Sequence, residues 1–241
     1  MRREKIIGVL GGMGPEATKD LFDKIIKHTP ACKDQDHLRI IIDNDPKVPD
    51  RSRAILEGGE DPLPRLIDNV KGLQKAGADF IIIPCNTAHF WLDQLRAEVN
   101  LPILNMIEEA AKAIKREMSV RRTGLLATSG TVKSGLYQKE FQQKGLEIIE
   151  PNERDQKILS KTIYGKEGIK AGKEDEVKKA LVKLGKGLID RGAEAIVEGC
   201  TEIPLVLEKK DFPVALIDPT EILAIASINK AMGLNLKRIQ K

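Results

Sequence analysis

Short β-branched runs alternate along the chain with amphipathic stretches. In the first half this pattern predicts strands near 5–10, 38–43, 79–84 and 102–106, separated by helices over 15–28, 62–76 and 87–98. From residue 122 the pattern begins again. It predicts strands near 122–127, 146–149, 194–198 and 213–217, helices over 131–144 and 202–209, a helical pair within 153–191 and a last helix near 219–233. Such alternation is the grammar of parallel sheets buried by helices, so the expected class is α/β. Helices after the fourth strand of each half, 107–118 and 219–233, are placed to cross and pack on the other half, and no Gly/Ser-rich linker separates the halves.

The halves also repeat in detail. Gly77-Ala78-Asp79 is followed, after five residues, by Cys85-Asn86-Thr87; Gly192-Ala193-Glu194 is followed, after the same interval, by Cys200-Thr201-Glu202. Ile7-Gly8-Val9-Leu10-Gly11-Gly12-Met13-Gly14 is echoed by Thr123-Gly124-Leu125-Leu126-Ala127-Thr128-Ser129-Gly130, and Leu101-Pro102-Ile103 by Phe212-Pro213-Val214. The expected architecture is two pseudo-symmetric lobes, each a short parallel sheet flanked by helices, with residues 1–106 plus 219–241 in one and 107–218 in the other. Open parallel sheets bind ligands beyond the carboxyl ends of their strands, where both cysteines fall. Facing lobes would therefore set Cys85 and Cys200 across one cleft.

Composition narrows the function. Apolar residues make up 41%, no apolar run approaches membrane-spanning length, and the start lacks the pattern of a signal peptide, so a cytoplasmic protein with no membrane partner is expected. Three widely spaced cysteines, without a CxxC pair, argue against a disulfide framework or a structural metal site. A net charge of +4 and 3% aromatic residues argue against nucleic-acid binding.

A cysteine at a strand-to-helix junction faces unsatisfied N–H groups, which favour the thiolate and suit it to act as base or nucleophile. A single such cysteine is more often an inert buried residue; duplication at equivalent strand ends favours chemistry. Cys32 has no counterpart and no assigned role. Gly12-Met13-Gly14-Pro15-Glu16-Ala17 fits the dinucleotide pattern G-x-G-x-x-A, but Asp43 and Asp45 arrive late for its acidic partner. This turn, with Met13, and its equivalent Thr128-Ser129-Gly130-Thr131 read better as N–H-rich walls around a small polar ligand. The proline-stiffened loop Asp43–Arg53 offers Arg51 as a carboxylate fork, with Ser52 and Arg53 beside it, and Lys170 in the glycine-punctuated loop 165–172 offers a second cation. His89 is placed to turn away from Cys85 rather than form a triad with it.

Pro84-Cys85-Asn86-Thr87-Ala88-His89, Gly199-Cys200-Thr201-Glu202, Gly11-Gly12-Met13-Gly14-Pro15 and Val48-Pro49-Asp50-Arg51 together resemble the aspartate racemases of the cofactor-independent aspartate/glutamate racemase superfamily. Leu125–Thr131 and Ile169-Lys170-Ala171-Gly172 extend the likeness over essentially the whole chain. The resemblance implies two cysteines flanking the α-carbon of an amino acid, one removing the α-proton as thiolate and the other returning a proton as thiol. It implies no pyridoxal phosphate and no metal, and a homodimer. Asn86, Thr87, Thr128, Thr131, Thr201 and nearby backbone amides would hold the α-carboxylate, and Arg51 and Lys170 the side-chain carboxylate; Met13, Ser52, Arg53, Ala88 and Glu202 complete the candidate substrate-binding set. Two departures stand out: Asn44-Asp45-Pro46 replaces an expected Asn-Asn-Pro, and Glu202 stands where glutamate racemases carry histidine. The rival readings are a single-cysteine isomerase or decarboxylase of a small dicarboxylate, a non-catalytic anion-binding module, and an NAD-linked dehydrogenase resting on the glycine pattern alone.

Overall fold

The computed structural model of the chain describes residues 4–172 and 174–237, and contains two parallel sheets flanked by helices. The first sheet runs β2-β1-β3, from β1 (Ile7–Gly11), β2 (Ile40–Asn44) and β3 (Phe80–Ile82), with Ile103 adding one parallel bridge beside Ile81. Its helices are α1 (Pro15–His28), α2 (Arg51–Glu57), α3 (Leu63–Lys75), α4 (Leu92–Glu98) and α5 (Met106–Glu117). In the second half β4 (Arg122–Ala127), α6 (Ser129–Lys133), α7 (Leu136–Gln142), β5 (Glu147–Ile149), α8 (Glu153–Tyr164), α9 (Glu174–Asp190), β6 (Ala195–Gly199), β7 (Ala215–Ile217) and α10 (Pro219–Met232) follow one another. The strand order there is β5-β4-β6-β7. The repeat in the sequence is thus a repeat of topology, with β1 and β4 central and the cysteine-bearing chains, β3 and β6, on the same side of each.

Strands β1, β3 and β6 are buried along their whole length, as expected when helices cover both faces of a parallel sheet. One apolar cluster joins Ile7, Val9 and Phe80 of the first sheet to Leu125, Val197 and Ile217 of the second through α5 and α10. The two closing helices are exchanged: α10, which follows the second sheet, packs on α1, while α5 packs on α7, and the two pack on each other. Helix α10 is buried almost all round, so its apolar residues serve both sheets. Truncating fully buried Leu223 to Ala should cost about 2–5 kcal/mol. No helix among the described residues is long and apolar enough to cross a membrane.

The structure departs from the sequence pattern in five places. The loop expected over 43–53 ends in a helix, α2, whose first turn is capped by Asp50 accepting the Arg53 N–H at 2.8 Å. The single helix over 131–144 is broken into α6 and α7 at Gly135, whose φ of 70° lies in the left-handed region. The stretches at 87–98 and 202–209 open with, or reduce to, 3-10 turns: Thr87–Trp91 before α4, and Ile203–Leu205 and Lys209–Asp211. The strand near 102–106 shrinks to its bridge, because Pro102 has no N–H and Asn105 already caps α5 through the Ile107 and Glu108 amides.

Candidate active site

Cys85 lies just past β3 and Cys200 directly follows β6; both are free thiols and buried. They line one narrow pocket. Met13, Arg51, Asn86 and Thr87 reach it from the first half, and Thr128, Tyr164, Lys170, Gly199, Thr201 and Glu202 from the second. A larger outer hollow, formed by the turn after β1 and by Ile169–Gly172, shares Met13, Arg51, Lys170 and Glu202 with it. These four side chains therefore stand between the cysteines and the hollow.

The two thiols differ in electrostatics. Cys200 Sγ donates to Glu202 Oε2 at 3.0 Å, and the other oxygen of Glu202 pairs with Lys170 Nζ. Burial, followed by the negative charge of Glu202, pushes the Cys200 thiol well above its ordinary pKa, although Lys170 pulls it back in part. Cys200 therefore holds its proton at neutral pH. For Lys170 the balance runs the other way: burial opposes its charge, but the Glu202 carboxylate holds its pKa above the usual value.

The group beside Cys85 is a cation. Arg51 donates to the carbonyls of Val48 (3.1 Å), Pro49 (3.0 Å) and Met13 (3.3 Å), and its buried Nε has no partner among the described residues. Burial works against the guanidinium, but Cys85 and Asp50 outweigh it and raise its pKa. The carbonyls of Val48 and Pro49 in the proline-stiffened loop thus help aim this side chain, and its Nε–H is left for an anion.

Of the other residues singled out in the sequence, Thr87, Thr128 and Thr131 form a closed triangle of hydroxyls, 2.9–3.0 Å on each side, across the two halves. Thr131 does not line the pocket; its hydroxyl is spent inside the triangle. Thr201 lines the pocket beside Glu202. Ser52 does not line it, but holds the Tyr164 hydroxyl at 3.2 Å. Arg53 is a correction: two residues on from Arg51, about 200° around the helix, it is 72% exposed and pairs with Glu57. Ala88 is another, buried in the apolar cluster behind Cys85 rather than in the pocket.

His89 does not reach the thiol. Its Nε2 accepts the Met106 N–H at 3.1 Å, which leaves Nδ1 to donate to the Cys85 carbonyl at 2.9 Å, and burial lowers its pKa to about 4. The added acid in Asn44-Asp45-Pro46 is also accounted for. Asp45 pairs with Arg65 at 2.5 Å and bonds Asn69, and with Asp43 it lines a separate hollow. Gly12, at φ 89°, presses on the Asp45 backbone, where a Cβ would lie 2.3 Å from a carbonyl carbon. The glycine pattern at this turn thus serves close packing of two loops. Sequence reasoning missed Tyr164 in the pocket wall and Tyr137, whose hydroxyl donates to Asn86 Oδ1 at 2.7 Å. A signal was present, since the chain has only two tyrosines and both meet the site.

Two α/β halves thus deliver equivalent cysteines to one pocket on a shared cleft. Residues 10–226 match the model of the Asp/Glu/hydantoin racemase family, and the chain belongs to that family, an isomerase of the racemase type. A solved structure of Picrophilus torridus aspartate racemase is 33% identical, with a TM-score of 0.85 over 97% of this chain and 96% of that one. The broad specificity amino-acid racemase RacX of Bacillus subtilis is 28% identical over 93% of this chain and 97% of its own length. A glutamate racemase of Aquifex pyrophilus is 29% identical over 65% of this chain and 60% of its own length.

Proposed function

We propose that the protein racemises an acidic amino acid, aspartate first, by a two-base reaction between Cys85 and Cys200. The observation that carries this reading is the pair of buried cysteines lining one pocket from equivalent strand ends. Racemisation needs a base on one face of the α-carbon and an acid on the other, with roles that exchange with the handedness of the substrate. One thiolate removes the α-proton; the electron pair left on carbon delocalises into the α-carboxylate; the opposite thiol delivers its proton to the other face. Asn86 and Thr201 hold the α-carboxylate as its charge grows, and Thr87 and Thr128, which also line the pocket, join them when a hydroxyl proton turns out of the threonine triangle toward the anion. The free Nε of Arg51, with Lys170, takes the side-chain carboxylate, which favours an acidic substrate over a neutral one. When substrate displaces part of the Lys170–Glu202 pair, Glu202 remains the acceptor next to the Cys200 proton.

On this reading the lobes are residues 1–106 with 219–241, and 107–218; the exchanged packing of α5 and α10 supports that division. The enzyme works in the cytoplasm as a homodimer on a free amino acid, with no cofactor, nucleic acid or membrane partner. The test is incubation of the purified chain with single enantiomers of aspartate, glutamate and alanine, without added cofactor, followed by chiral chromatography. Interconversion of aspartate, faster than alanine, is expected. Inversion of alanine at a rate equal to aspartate would remove the acidic preference, and no inversion of any amino acid would overturn the function.

A further inference from the structure

Asn86 meets the pocket next to Cys85, yet only one end of its amide is bonded. Its Oδ1 accepts from Tyr137 at 2.7 Å, while its buried Nδ2 has no partner among the described residues. A buried amide with one end unpaired is costly unless a ligand pairs it. The tyrosine arrives from the other half, on α7, with no exposed surface and with its ring tilted against Phe141 at 5.3 Å between centroids. Among the described residues its phenol proton has no acceptor but Asn86 Oδ1, so the amide has one orientation, oxygen toward Tyr137 and NH2 away from it.

We propose that Tyr137 is a positioning residue: it fixes the Asn86 amide so that Nδ2, not Oδ1, faces the substrate and donates to its α-carboxylate. This rests on the racemase reading. The α-carboxylate gains negative charge as the α-proton leaves, so an oriented donor strengthens toward the transition state and acts on kcat more than on KM. Freed from Tyr137, the amide can turn its oxygen toward a growing anion, which would repel it.

The experiment compares wild type, Tyr137→Phe, Asn86→Ala and the double variant in aspartate racemisation, with thermal melting of each. Tyr137→Phe keeps the ring against Phe141 and removes only the hydroxyl. The expected result is a roughly tenfold loss of kcat with KM changed less than threefold, and no further loss when Tyr137→Phe is added to Asn86→Ala. A Tyr137→Phe variant with kcat within twofold of wild type overturns the proposal, as does the same loss in the Asn86→Ala background. A variant that fails to fold makes the hydroxyl a folding determinant and also overturns it. Asn86→Asp, which keeps the acceptor for Tyr137 and loses both N–H donors, should lose at least as much activity as Asn86→Ala; full activity in it would again count against the proposal. If wild type inverts no amino acid, the proposed function fails and this role falls with it, whereas an active wild type with an unimpaired Tyr137→Phe removes this role alone.

Discussion

Cys85 and Cys200 occupy equivalent places in the two halves, but their neighbours are opposite in charge. Beside Cys85 stands Arg51, anchored on three backbone carbonyls; beside Cys200 stands Glu202, which accepts the thiol proton. Behind Cys85, His89 ties the end of the strand to the start of α5; four residues after Cys200 the chain has Pro204, which can make no such bond. The repeat supplies two faces of approach, and the unrepeated Glu202 adds to burial in raising the Cys200 thiol. Symmetry of backbone with asymmetry of charge suits a reaction whose two acids must take opposite roles at any moment.

The largest effect should come from breaking the pair itself. Cys85→Ser or Cys200→Ser should each lower racemisation by about 10³-fold or more, because a hydroxyl is a far weaker acid than a thiol. Chiral analysis of product checks this, and substantial turnover in either variant would reduce the mechanism to one cysteine.

The next concerns the half that carries His89. Its pKa is lowered from 6.5 to about 4 in the folded chain, so between those values the unfolded state binds more protons. Stability from this group is complete above pH 6.5 and is lost as the pH falls toward 4, by about 3 kcal/mol in all. Urea unfolding at pH 7 and 4.5 should show the loss, and His89→Gln should flatten that part of the slope; an equal slope in both proteins would show that His89 is not its source.

Arg51→Ala or Lys170→Met should lower kcat/KM for aspartate roughly 30-fold, in line with loss of one charge-assisted bond. Turnover of alanine, which has no side-chain carboxylate, should change much less. An equal fall for both substrates would place these cations outside specificity. The smallest effect is at Glu202. Glu202→Gln removes the charge that raises Cys200 and frees Lys170, so the thiol should titrate lower and, in a Cys85→Ser background, react with iodoacetamide about tenfold faster at neutral pH. An unchanged pH profile of alkylation would show that burial alone sets the Cys200 thiol.

Much of this was legible in the chain. Apolar runs at β1, β4 and β6 and the helix at 15–28 are strong signals because buried parallel strands and one-sided helices leave unambiguous periods. The cysteines could be paired because their flanking residues repeat. Helix α2 was hidden by its seven-residue length and by the prolines ahead of it, so Arg51 and Arg53 looked alike until helical rotation separated them. Tyr137 and Tyr164 were passed over, since periodicity does not reveal which buried ring has its hydroxyl turned to the cleft. The ion pair between Glu202 and Lys170 spans a loop and a strand end far apart in the chain, beyond the reach of any local pattern.

The most direct test of the two-base account is the isotope content of L-aspartate and D-aspartate after brief reaction of a single enantiomer in deuterated water. With separate acids on the two faces, deuterium should appear at the α-carbon of the inverted product, while recovered substrate keeps its proton, and this should hold starting from either enantiomer. Deuterium appearing equally in product and recovered substrate would mean that one group serves both faces, and would contradict the pairing of Cys85 with Cys200.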